Sequence, residues 1–222
     1  MSTKKHNTRS ISKIKHTKKN IKTIKYQKPI IIHIDGIPGA GKSYICTKIN
    51  SPKSVCIDND DIVLDAKNYV DSSNMPRTFK SLHKVIKQKI NELIEKHVND
   101  GKRIIIFVGV RFLVDTALND ANYRYFIKLS DLGATFRRVF MRETEKIESN
   151  LGDIKKLISD PKIEVDELDG MVHRKTNLAL PYPPEFSQYK KHYKRGLGIA
   201  KKNNYKIASQ DEIIARIQKI IC

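Results

Sequence analysis

The chain has 222 residues, with 43 Lys and Arg against 24 Asp and Glu, for a formal net charge of +19. That length suits one domain of ordinary size with a substantial core, and a hydrophobic content of 39% excludes a wholly solvated polymer. No apolar run approaches the roughly 18 residues of a membrane-spanning helix, the longest being Ile104 to Val110, so no membrane association is expected.

Residues 1–28 hold ten Lys or Arg and no acid, without a sustained apolar period. They read first as a disordered, solubilising tail, and second as an arm that neutralises nucleic-acid phosphates. A mitochondrial presequence favours Arg, and nine of these ten positives are Lys. No apolar segment near Met1 marks a secretory signal. Cys46, Cys56 and Cys222 form no close pair and no metal-ligand spacing. Their odd count argues against a disulfide framework and for a reducing compartment. A cytoplasmic location is expected, with nuclear or virion association left open.

From residue 29 to 222 the pattern is that of one packed domain. Pro29–Asp35 is a strand, Gly36–Ser43 a glycine-rich turn, and Lys42–Asn50 a helix stopped at Ser51-Pro52. Ser54–Asp58 is a second strand. Phe79, Leu82, Ile86, Ile90 and Leu93 step along one helix face, which Asp100-Gly101 ends. Arg103–Val108 is a continuous apolar strand of the kind covered on both sides. Tyr123–Leu129 is a fourth strand, followed by a helix from about Asp131 to Ser149. Tyr189–Lys202 reads as a basic helix whose interleaved tyrosines belong to a solvated face. Tyr205–Ala208 is a last short strand, and Ser209 with Glu212 forms a capping box for a helix turning Ile213, Ile214, Ile217 and Ile221 inward. Alternating strands and helices predict a three-layer α/β fold: a parallel sheet with helices on both faces.

Gly36-Ile37-Pro38-Gly39-Ala40-Gly41-Lys42-Ser43 is G-x-x-x-x-G-K-S, between an isoleucine strand and a helix. Backbone amides of such a P-loop cradle phosphates, and its glycines permit positive φ and close approach. Lys42 would reach the β- and γ-phosphates and Ser43 would ligate Mg²⁺, while the following helix N-terminus favours the anion. Gly36, Gly39, Ala40, Gly41, Lys42, Ser43 and Tyr44 are therefore the expected ATP-binding set.

Asp58-Asn59-Asp60-Asp61 follows the second strand, at the edge where ligands of open α/β sheets gather. A carboxylate there would accept a hydroxyl proton during phosphoryl transfer, and Asp60 is the first candidate for that role and for Mg²⁺. Asp61 would meet the substrate, and Asp58 stands in reserve. The competing reading is a helix cap, and one Asp can cap while another serves chemistry. The third strand ends in Val108-Gly109-Val110-Arg111, where many P-loop enzymes carry an acid; Asp35 or the 58–61 run must then compensate. Arg111 is placed to touch a phosphate or an acceptor, or else opens a surface helix. In Thr135–Glu143, Phe136, Val139 and Phe140 form a buried stripe, and Arg138 and Arg142 share another face, suited to cover a migrating phosphoryl group.

IIHIDGIPGAGKS, IDNDD and FRRVFMRE together resemble the nucleoside- and nucleotide-kinase group of P-loop proteins. The R-R-x-x-x-R helix is similar to that of uridine-kinase-like enzymes, and the strand-plus-NDD feature to 5′-hydroxyl polynucleotide kinases. The likeness spans roughly residues 29–142 and the final strand and helix. It implies an ATP- and Mg²⁺-dependent kinase with Asp60 as base and Arg138 or Arg142 as lid arginines, within a lid region of about 131–204. A small-molecule acceptor, nucleoside- or nucleotide-like, is the leading expectation. A polynucleotide 5′-hydroxyl end is the alternative, with nucleic acid also meeting the basic tail. Val108 departs from the uridine-kinase pattern and favours a third reading, a nucleotide-dependent nucleic-acid-binding protein with little turnover.

Overall fold

The computed structural model describes residues 28–76, 78–109, 118, 120–144, 158–165 and 185–221. Its elements are β1 (Ile30–Asp35), α1 (Lys42–Lys48), β2 (Ser54–Asp58), α2 (Asn59–Ser72), α3 (Phe79–Asn99), β3 (Ile104–Val108), β4 (Tyr123–Ile127), α4 (Leu132–Thr144), α5 (Phe186–Lys202), β5 (Lys206–Ala208) and α6 (Gln210–Ile221). The five strands form one parallel sheet in the order β2-β3-β1-β4-β5. The expected α/β architecture is what the chain adopts. Segments 1–27, 110–117, 145–157 and 166–184 lie outside the described residues, and with them nearly all of the tail, Arg111 and much of the expected lid region.

Alternation along β1 divides the core. Ile32 and Ile34 face α1 and α6, packing with Ile45, Ile106, Ile213 and Ile217. The opposite face of the sheet carries two clusters. Ile105 and Phe107 pack with Ile62, Ala66, Ile86 and Ile90 of α2 and α3, while Phe126 packs with Ala200 and Tyr205 at the end of α5. All five residues of β3 are buried, as a strand covered on both sides requires. Each fully buried Ile or Phe contributes roughly 1.5–3 kcal/mol.

His33 is fully buried between the two clusters of that second face. Its Nδ1 lies 2.6 Å from the Tyr205 hydroxyl and its Nε2 3.3 Å from Asn59 Nδ2. An amide nitrogen only donates, so Nε2 accepts and Nδ1–H donates to Tyr205. The histidine is a satisfied core residue.

Several elements differ from their sequence-based outlines. Phe79 is 66% exposed: it opens α3 directly after the cap, where Thr78 Oγ1 accepts from Ser81 N at 3.1 Å, and overhangs the core. Tyr189 of α5 is not on a solvated face but fully buried against Phe136. Cys46 of α1 and Cys56 of β2 are disulfide-bonded, with a Cα–Cα separation of 5.8 Å, which corrects the expectation of free thiols. Ten residues apart, they meet because both side chains pack against the same core cluster between the sheet, α1 and α6, which spacing alone does not reveal. The cysteine count therefore no longer argues for a reducing compartment. Among the described residues, no helix is long and apolar enough to cross a membrane.

Candidate functional site

The loop after β1, the central strand, is shaped by contacts from three other elements. Gly39 and Gly41 have φ of +77° and +85°, a region that L side chains avoid. A Cβ on Gly39 would fall 2.4 Å from Val139 Cγ2 of α4, and one on Gly41 2.1 Å from Gln210 Nε2 of α6. Glycine is thus favoured at both positions by dihedral, and at Gly39 also by the close approach of α4. Gln210 Nε2 donates to Ala40 O at 2.5 Å, and the Tyr189 hydroxyl donates to Pro38 O at 2.6 Å. The loop is clamped from α4, α5 and α6.

Lys42 folds back over this loop, its Nζ donating to Gly36 O at 2.8 Å and to Ile37 O at 3.3 Å. Burial holds its ammonium below the usual lysine range; Asp35, Asp60 and Asp58 oppose that shift, and Arg142 adds to it. Three carboxylates therefore offset part of the desolvation of the ammonium. Asp35 is itself buried, its Oδ1 accepting from Gly36 N at 2.6 Å, and it does not line the cavity above the loop.

That cavity measures about 650 Å³. It brings together Lys42, Ser43 and Tyr44 from the loop and α1, Asp58 and Asp60 from the β2–α2 junction, and Arg138 and Arg142 from α4. Pro38, Gly39 and Gly41 provide its floor, and Gln210 and Asp211 of α6 its far wall. Gly36 and Ala40 lie beneath, Ala40 fully buried. Asp61 does not line it; its position in the first turn of α2 is exposed. Arg111 lies outside the described residues.

The acidic run divides its work. Asp58 is the N-cap of α2, its Oδ1 accepting from Asp60 N at 3.0 Å, and it also borders the cavity beside Asp60. Asp58 is the register partner of Val108 across β2 and β3. The carboxylate stands one strand over. Gly109, at φ +135°, makes room for it, since a Cβ there would lie 2.8 Å from Asn59 Cβ and 3.2 Å from Asp58 Oδ1.

On α4 the buried stripe is Phe136, Val139 and Phe140. Arg137 turns away from the cavity and donates to the carbonyls of Ile158, Asp160 and Ile163, holding that segment. Arg138 Nη2 donates to Thr135 Oγ1 at 3.0 Å, leaving its other nitrogens toward the cavity.

Among the described residues, no group of three or more His, Cys, Asp and Glu could hold a metal ion. Mg²⁺ typically takes one or two carboxylates together with substrate phosphates, and the Ser43 hydroxyl with Asp58 and Asp60 is a hard-oxygen set of that kind. The donor chemistry fits the ion.

Sheet and strand order define an α/β protein with one parallel sheet, helices on both faces and a glycine-rich loop after its central strand. No protein-family model and no curated protein matches the chain. Among solved structures it is similar to a shikimate kinase from Bacteroides thetaiotaomicron, at 14% identity over 86% of this chain and 98% of that one, with a TM-score of 0.39. It is also similar to a thymidylate kinase from Candida albicans (15% identity, 87% and 91% covered, TM-score 0.37) and a gluconokinase from Sinorhizobium meliloti (20%, 63% and 80%, TM-score 0.34). Likenesses this distant carry none of those activities to this chain, and its fold class rests on the sheet and loop themselves.

Proposed function

We propose that the protein is a phosphotransferase that moves the γ-phosphoryl group of ATP to a nucleoside- or nucleotide-like acceptor. The observation that carries this reading is the meeting of Lys42, Ser43, Asp60, Arg138 and Arg142 around one cavity above the phosphate loop. In the bound state Lys42 exchanges the carbonyls of Gly36 and Ile37 for phosphate oxygens, a short movement for a cation already poised there. Ser43 and an acid of the β2–α2 junction would hold Mg²⁺, which would supply neutralising charge to the phosphates. Asp60 accepts the acceptor's hydroxyl proton as the new O–P bond forms and the bond to the ADP leaving oxygen breaks. Arg138 and Arg142 lie over the migrating group, whose charge is spread on its equatorial oxygens.

Incubation with γ-labelled ATP, Mg²⁺ and separate pools of nucleosides, nucleotides and 5′-hydroxyl oligonucleotides tests this. Label entering a small-molecule pool supports the reading, and label entering only oligonucleotides replaces it with a polynucleotide kinase. ATP binding with no transfer to any pool refutes it in favour of a nucleotide-dependent binding protein.

A further inference from the structure

A second cavity, an open groove of about 690 Å³, lies on the other side of α6 and shares no lining residue with the one above the loop. Its floor is the beginning of β4 and β5, and its wall is one face of α6. Tyr123 and Tyr125 are two apart on β4 and so point to the same side; Tyr125 is buried in the α6-facing core and Tyr123 is 41% exposed. Lys206 shares that side on β5 with the core residue Ala208. Arg216 and Lys219 reach in from α6.

The positive charge of this groove is offset from within only in part, by the electrostatic approach of Glu212 to Arg216. Among the described residues, no carboxylate lies within salt-bridge distance of Lys206, Arg216 or Lys219. The one acid in the lining, Glu212, is engaged at the helix cap, accepting from Ser209 N at 2.8 Å. Arg216 acts electrostatically on Tyr125, whose hydroxyl burial holds above the usual tyrosine range. That phenol therefore stays a neutral donor and adds no negative charge. The surrounding surface extends the same sign: Lys201 and Lys202 are exposed at the end of α5, which leads into β5.

We infer that this groove binds single-stranded nucleic acid, with Lys206, Arg216 and Lys219 on backbone phosphates and the Tyr123 ring as a stacking platform. An open trough admits a chain that enters and leaves, whereas small ligands are mostly enclosed. A cationic track beside an exposed aromatic ring is the combination that holds single strands without sequence preference. The site is independent of the phosphotransfer reading, because no residue is common to the two cavities.

The test uses the full chain without ATP. A 12-residue oligouridylate carrying 4-thiouridine is cross-linked by light and the modified peptides are mapped, while fluorescence anisotropy follows binding over a range of salt. A cross-link on the peptide containing Tyr123 is expected. The Arg216→Gln/Lys219→Gln double variant should lower the log–log salt slope by about 1.4, at about 0.7 per single-strand phosphate. Tyr123→Leu should weaken binding by at least about 5-fold with the slope unchanged, as loss of one stacked base requires. Lys206→Gln, on the three-residue edge strand, gives a slope change of about 0.7 as a second reading if the double variant melts early. Cross-links confined to residues 1–28 or the phosphate loop, with superimposable salt slopes, would overturn the inference. So would a Tyr123→Leu variant that binds like the parent while inorganic polyphosphate competes as well as the oligonucleotide, since the groove would then be only an anion attractor.

Discussion

Tyr189→Phe removes a single oxygen and separates the clamp on the phosphate loop from core packing. The ring is fully buried, 5.4 Å between centroids from Phe136, and phenylalanine keeps that packing. What is lost is the hydrogen bond to Pro38 O. A net intramolecular hydrogen bond is worth about 0.5–1.5 kcal/mol, and Pro38 borders the cavity, where water can replace the phenol. The expected cost is therefore about 1 kcal/mol or less, which for a domain of this size lowers Tm by about 2–4 °C. The same bond restrains the loop before any ligand arrives, so the loss in ATP affinity is bounded by the same energy, about 5-fold at most. Thermal unfolding and titration calorimetry measure the two quantities. A Tm loss beyond about 8 °C would mean that the hydroxyl sustains more than one bond's energy. Unchanged Tm together with unchanged ATP affinity would mean that α5 does not brace the loop.

Three further outcomes are expected. Asp60→Asn should lower turnover by at least about 10²-fold with ATP binding retained, as single-turnover rates and calorimetry will read; undiminished turnover would remove the proton-accepting role. Gly109→Ala forces a Cβ to within 2.8 Å of Asn59 Cβ at a φ of +135°, so it should destabilise by about 1–3 kcal/mol and lower turnover more than ATP affinity, because Asp58 and Asp60 move while the loop does not. Lys42 has a folded pKa below its unfolded value of 10.5, so above the folded pKa the unfolded chain holds the extra proton and stability rises with pH. The ligand-free protein should gain stability through the alkaline range up to about the unfolded pKa of lysine, and Lys42→Met should lose that gain in denaturant melts at matched pH.

The elements legible in the sequence were those with a local cause. The phosphate loop was readable because eight adjacent residues carry it, and the capping box of α6 because Ser209 and Glu212 are three apart and do bond, Glu212 N donating to Ser209 Oγ at 3.3 Å. Arg138 and Arg142 were separable from Arg137 by helical phase alone, and the cavity receives the first two. What stayed hidden depends on sequence-distant approach. Tyr189 is 151 residues from its partner Pro38, and Gln210 is 170 from Ala40. The tyrosine sits among lysines whose exposure masks a buried ring, and a glutamine opening a helix gives no hint of its bond to a carbonyl of the phosphate loop. Cys46 and Cys56 fail to announce their bond for the same reason.

Val108 shows how far one-dimensional reading reaches before register is needed. A valine at a strand end where an acid is expected argues for lost catalysis if each strand end is judged alone. In a parallel sheet, however, strand ends lie side by side about 4.8 Å apart, and a function at one end is available to its neighbour. Asp58 is the register partner of Val108, and the missing Cβ of Gly109 gives Asp58 and Asn59 their space. Valine at 108 and glycine at 109 therefore belong to one arrangement with Asp58: an acid on the third strand would face Asp58 across a single strand spacing, and two carboxylates so close would raise each other's pKa. Asp58 caps α2 and borders the cavity beside Asp60, and the hydrophobic end of β3 adds no third carboxylate to that corner.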